Sequence, residues 1–151
     1  MSFSGENQMP PALDGLIDLF FCVFHQNDSE IPDLACLPDL FVSQALIIKN
    51  SDDDPEIYSP DSFLNSRNAI FASGTLRAFR EWETSHTTKI HLGIAHRTSF
   101  YQKEGYLNGR FFRQNGVKFF HFVATAQGWK IASLMWQDDP PQWQDSEITQ
   151  A

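Results

Sequence analysis

Residues 111–139 (FFRQNGVKFFHFVATAQGWKIASLMWQDD) constrain the fold most, because two strand-like aromatic runs flank Thr125-Ala126-Gln127-Gly128 in the pattern of one long β-hairpin. In residues 117–125 one parity carries Val117, Phe119, His121 and Val123, and the other Lys118, Phe120, Phe122 and Ala124, so both faces are largely apolar. Such a strand is expected where one face lines a cavity and the other meets a partner subunit. The alternative is that long aromatic side chains overhang the sheet edge.

Upstream, Leu13, Leu16, Ile17, Phe20, Phe21 and Phe24 form the stripe of an amphipathic helix. The chain breaks at His25-Gln26-Asn27-Asp28-Ser29, restarts near Pro32 and passes Pro38 into a first strand over residues 44–49. Ser59-Pro60-Asp61 starts a second helix and Ser73-Gly74 stops it, with Phe63, Leu64, Ile70 and Phe71 on one face. After Gly74 the period becomes two, in segments 75–84, 89–102, 117–125 and 129–137, with turn signals at Asn108-Gly109 and Asn115-Gly116. Helices first and strands afterwards predict an α+β domain whose helices cover one face of an antiparallel meander. The domain is expected over residues 11–139, between a flexible N-terminus, 1–10, and a polar tail, 140–151, in which Trp143 has the apolar surface to dock.

Composition narrows the function classes. A chain of 151 residues is one domain in size, and fourteen Phe with four Trp supply a large aromatic core or an apolar cavity. A net charge of -8 argues against nucleic acid and anionic membranes as partners. No basic leader or long apolar run is present, so a cytoplasmic protein is expected. Cys22 and Cys36 have no metal or disulfide spacing and read as buried free thiols. Asp52-Asp53-Asp54-Pro55 lacks the glycine and distal glutamate of a calcium loop and reads as an exposed turn. No cofactor motif is recognised.

The ordered set of Phe79-Arg80-Glu81-Trp82-Glu83, Gly93-Ile94-Ala95-His96-Arg97, Asn108-Gly109 and Gly128-Trp129-Lys130-Ile131 closed by Trp136 resembles the nuclear transport factor 2-like superfamily, in particular its SnoaL-like branch of pocket-bearing proteins. The resemblance implies a cystatin-like, cone-shaped roll: a strongly curved antiparallel sheet with N-terminal helices on its concave face. It also implies a homodimer through the outer face of the sheet.

Histidine is the side chain most readily poised for acid–base work near neutrality, and His86, His91, His96 and His121 fall in the sheet region. His96 shares parity with Ile90, Leu92, Ile94, Thr98 and Phe100, as either a hydrogen-bonded structural histidine or a pocket group; His121, among Val117, Phe119 and Val123, leaves the same choice. His91 and His96 have opposite parity, which argues against a zinc site. Glu81 and Glu83 share a face with Phe79, where a buried Glu81 has the chemistry of a general base or of an ion-pair partner. Arg97 suits an ion pair with Glu81 or Glu83. Phe20, Phe63, Phe120, Phe122 and Trp82 are candidates for lining a ligand cavity.

Ketosteroid isomerases resemble this fold and need carboxylates in the pocket, one on the strand before the last hairpin turn; here that strand carries Phe119, Phe120, His121 and Phe122 and no acid. Three readings follow. The first is a protein that binds a small apolar molecule in a hydrophobic cone with no assignable reaction. The second is an isomerase, dehydratase or cyclase using His96, His121 or Glu81 as base. The third is a dimerisation module whose cone is filled by aromatic side chains.

Overall fold

The computed structural model describes residues 9–27 and 30–144; the expectations for residues 1–8, Asp28-Ser29 and 145–151 lie outside them. Helix α1 (Met9–Cys22) and helix α2 (Pro60–Ala72) pack on one face of a sheet. Its strands are β1 (Phe41–Asn50), β2 (Glu56–Tyr58), β3 (Leu76–His91), β4 (Ile94–Leu107), β5 (Arg110–Thr125), β6 (Gly128–Asp138) and β7 (Gln142–Trp143). The order is β2-β1-β6-β5-β4-β3, with β7 pairing β5 beyond the end of β6.

The sheet is curved but mixed. β3 to β6 form the expected antiparallel meander, whereas β1 runs parallel to β6, from Phe41 opposite Ile131 to Asn50 opposite Gln137. A parallel pair needs a long crossover, and the chain between β1 and β6 supplies it. The three-residue strand β2, which pairs with β1 after the exposed Asp52-Asp53-Asp54 turn, is too short to leave a period in the sequence.

Two turns resolve differently from expectation. The single strand expected over 89–102 is two strands, because the chain turns at Leu92-Gly93, where Leu92 adopts φ 51°. His91 and His96 therefore lie on neighbouring strands, His91 opposite Ile94 and His96 opposite Lys89. Asn115-Gly116 is no turn: it lies inside β5, while the β4–β5 turn is made at Asn108-Gly109, both at positive φ.

Local rules account for the ends of α2. Ser59 Oγ accepts from the Ser62 amide, Ser62 Oγ accepts from the Ser59 amide, Pro60 opens the helix and Gly74 closes it at φ 77°. In β3 the pairing slips between Arg77 and Arg80, where Ala78 takes φ 54°. Gln26 clamps this bulge, its amide donating to the Phe79 carbonyl at 2.9 Å and its Oε1 accepting from the Phe79 amide at 3.2 Å. A bulge bends the strand that carries it, so the clamp sets curvature at the rim of the cone.

The core is the aromatic surface of α1 pressed on β5. Phe20 meets Phe120 edge to face at 5.4 Å and Phe24 at 5.5 Å, and Phe24 meets Phe63 at 6.1 Å. Each such pair contributes about 0.5–1.5 kcal/mol beyond burial. Arg97, 3% exposed, ties α1 to the sheet through Asp14 at 2.7 Å and Glu83. The cysteines differ from expectation: Cys22 and Cys36 are both exposed, on the solvent side of α1 and beside the short 3-10 turn Leu37–Leu40. Trp143 docks, its ring 6.0 Å from Phe112 and 4.1 Å from the Arg110 guanidinium.

Candidate functional site

Alternation along the pleat decides what enters the cone. On β5 the inward parity is Phe112, Gly116, Lys118, Phe120 and Phe122; on β4 it is Ala95, Arg97, Ser99, Tyr101 and Lys103. Glu81 from β3, Trp136 and Asp138 from β6 and Lys49 from β1 complete the concave face. Helix α1 and the turn after it add Phe20 and Phe24, and α2 adds Phe63, Arg67 and Phe71. These side chains enclose a cavity of about 320 Å³, of the size that takes a small organic molecule.

Most of the wall is aromatic and aliphatic, but one side is ionic. Lys118 Nζ lies 3.0 Å from Glu81 Oε2, with the two side chains 4% and 6% exposed. Lys118 is the only partner of Glu81 Oε2 among the described residues. The ammonium is also boxed by rings, 4.0 Å from the centroid of Tyr101 and 4.9 Å from that of Trp136. Burial lowers the Lys118 pKa, and the charge of Glu81 opposes that shift.

A second pair lies beside it. Lys103 Nζ is 2.8 Å from Asp138 Oδ2, and the Tyr101 hydroxyl donates to Asp138 Oδ1. Burial pushes Asp138 up, but the Lys103 charge, the hydrogen bonds from Lys103 and Tyr101 and the field of Lys118 outweigh it, so its carboxyl titrates below the usual range. Burial, with the charge and hydrogen bond of Asp138, raises the Tyr101 phenol. Toward α2 stand Lys49 and Arg67. The Arg67 guanidinium rests 5.1 Å from the Phe63 centroid and 5.6 Å from that of Tyr58, and it donates to Tyr58 Oη at 3.3 Å.

The structure brings together only part of the residues singled out from sequence. Glu81, Phe20 and Phe63 line the cavity. Phe120 and Phe122 are buried behind it, stacked on each other at 5.7 Å and 13°. His96 and His121 do not enter the cone: they take the outward parity of their strands, cross-strand neighbours with ring centroids 6.4 Å apart, exposed, with His121 Nδ1 3.1 Å from Ser133 Oγ. They border an open hollow of about 490 Å³ on the outer side with His91 and Lys89. Trp82 is also outside the cone, because Phe79 and Glu81 take the inner side of β3 past the Ala78 bulge; its ring lies 5.1 Å from the Arg80 guanidinium.

Sequence reading missed Lys118, Lys103, Tyr101, Asp138, Lys49 and Arg67. The signal for Lys118 was present, since a charge at the centre of the apolar parity Phe120-Phe122 is costly to bury and implies a partner. Among the described residues no group of three or more His, Cys, Asp or Glu is arranged to hold a metal ion.

No protein-family profile and no curated protein matches the sequence. Solved structures do match. A protein from Kribbella flavida superposes with TM-score 0.73 at 17% identity, over 97% of this chain and 99% of that one. Hexachlorocyclohexane dehydrochlorinase LinA-type3 from Novosphingobium barchaimii LL02 gives 0.76 at 11% identity, over 92% of each chain. An NTF-2 like protein of unknown function from Silicibacter pomeroyi DSS-3 gives 0.58 at 16% identity, over 92% of this chain and 100% of that one. At such identities the likeness is one of fold.

Proposed function

We propose that this chain, which has the nuclear transport factor 2-like fold, binds a small, largely apolar organic molecule in its cone. The observation that carries the reading is the cavity of about 320 Å³ left open among Phe20, Phe24, Phe63, Phe71, Phe79 and Trp136. Phe63 and Trp136 meet edge to face at 5.7 Å, but space remains open beside them, and that open cavity favours binding over the filled, purely structural module. Native mass spectrometry of gently purified protein, followed by a denaturing run on the same sample, tests it. A discrete extra mass released on denaturation is the expected result. A clean mass, together with no rise in melting temperature from any of a panel of one- to three-ring compounds, overturns it.

Catalysis is the second reading, and one observation favours it: Glu81, its side chain 6% exposed, stands on the cavity wall with Lys118 as its charge partner, a carboxylate placed to take a proton from a bound molecule. Isomerisation, dehydration or cyclisation are the reaction classes such a base serves, and the structural neighbour that is a dehydrochlorinase accords with proton abstraction on this fold. Glu81→Gln would then retain the ligand and lose its conversion, seen as the same bound mass with no product. His96 and His121 have no part in this reading.

The exposed outer face supports a homodimer through the sheet, with Ile94, Phe100, Phe119 and Met135 each 43–58% exposed on it. The cytoplasmic location expected from the sequence is part of the same proposal.

A further inference from the structure

Within the cone the charges do not balance. Four cationic side chains, Lys49, Arg67, Lys103 and Lys118, face two carboxylates, Glu81 and Asp138, an excess of two positive charges in a chain whose net charge is -8. Two of the cations are spoken for: Lys118 by Glu81 at 3.0 Å and Lys103 by Asp138 at 2.8 Å. The excess therefore resides on Lys49 and Arg67. Among the described residues the Lys49 side chain has no hydrogen bond or ion pair; Glu56, opposite it on β2, acts on it through its field alone. Arg67 donates to two hydroxyls, of Ser66 and Tyr58, and to no carboxylate. Its cation rests over the Phe63 ring, 5.1 Å from the centroid.

Resting on the proposal that the cone binds a small molecule, we infer that the ligand is an anion: an aromatic or aliphatic body carrying a carboxylate, the body against Phe24, Phe63, Phe71 and Phe79 and the carboxylate between Lys49 and Arg67. A neutral ligand would leave two like charges facing each other in a half-buried, largely aromatic enclosure. A carboxylate removes that repulsion and replaces the water lost by both cations with charge-assisted hydrogen bonds. The titration of Lys49 agrees in direction: burial first and then the charge of Lys103 lower it, the charge of Asp138 opposes them, and the smaller effects of Arg67, which lowers it, and of Glu56, which raises it, follow. A bound anion favours the protonated amine, so binding is coupled to proton uptake and weakens as alkaline pH removes the Lys49 proton.

Matched probes test this: 2-naphthoate against 2-naphthylmethanol, and decanoate against decanol, by isothermal titration calorimetry on the wild type, Lys49→Met and Arg67→Gln. At least one carboxylate is expected to bind about tenfold or more tighter than its alcohol. Either substitution is expected to reduce that ratio severalfold, and the binding heat in alkaline buffers of different ionisation enthalpy is expected to show proton uptake in the wild type and not in Lys49→Met. Alcohols that bind as well as or better than the carboxylates, or a ratio that both variants preserve, overturn the anion inference while leaving the binding cavity in place. If neither class binds, the inference falls with the binding proposal itself.

Discussion

Lys118 Nζ and Glu81 Oε2 stand 3.0 Å apart inside the cone, the lysine from β5 and the glutamate from β3, reaching over the intervening strand β4. With both side chains at least 94% buried, neither charge has water to fall back on. Breaking a buried pair by removing one partner costs about 3–5 kcal/mol, while replacing both by apolar groups of similar volume is often neutral. Lys118→Met is therefore expected to lower stability by that amount in urea unfolding at pH 7, and Glu81→Leu added to it is expected to restore most of the loss. Two losses that simply add would show that the pair does not interact.

Gly116 is fixed by Tyr101. The tyrosine passes over the glycine to reach Asp138, so a Cβ at 116 would lie 2.1 Å from Tyr101 Oη, 2.4 Å from its Cζ and 2.7 Å from the Gln137 carbonyl oxygen. Gly116→Ala is expected to destabilise by about 1–3 kcal/mol, the usual range for overpacking, and to disturb the Tyr101–Asp138 bond. Tyr101→Phe should rescue little of it, since Cζ and the backbone oxygen still clash. A Gly116→Ala variant as stable as wild type by thermal melt would contradict the placement of Tyr101.

The same glycine shows where sequence reading stops. Asn-Gly is a strong local turn signal, but at Asn115-Gly116 the pairing with Tyr101 on β4 and Asp138 on β6 overrides it. The true turn at Leu92-Gly93 was hidden because it follows an isoleucine and a histidine that continue the strand pattern. The parallel β1–β6 pair had no signal, since parallel and antiparallel neighbours share one side-chain period. What local pattern does carry came through: the stripe of α1, the caps of α2, and the face that Phe79 and Glu81 share on β3, whose inward direction the sequence left open. The histidines were singled out for their chemistry, but the pleat turned them outward, and the cavity took its polar groups from Lys, Tyr, Asp and Glu instead.

Asp138 should govern the acid limb of stability. Its folded pKa is held below the unfolded value of about 3.9, so its stabilising contribution is complete above that value and is lost as pH falls through the folded one. Wild-type unfolding free energy is expected to drop as pH is lowered from about 5 to 2. Asp138→Asn, already lacking the contribution, is expected to be less stable at neutral pH and to show a shallower drop. Parallel curves for the two proteins would show that Asp138 titrates alike folded and unfolded.

The outer face of the sheet gives the last prediction. Phe119 on β5 is paired opposite Met135 on β6, the two 52% and 48% exposed, with Phe100 and Ile94 of β4 on the same face at 43% and 58%. Water-facing sheet positions are ordinarily polar, so exposed apolar side chains on three neighbouring strands imply a cover, and a second copy of the same face is self-complementary. Light scattering coupled to gel filtration is expected to give a dimer for the wild type. Phe119→Lys is expected to give a monomer, since the symmetry places the new charge on both sides of the interface. Because Phe119 is already half exposed in one subunit, the monomer should remain folded by circular dichroism. A wild type that is monomeric across the concentration range would mean that the strip meets some other surface or none.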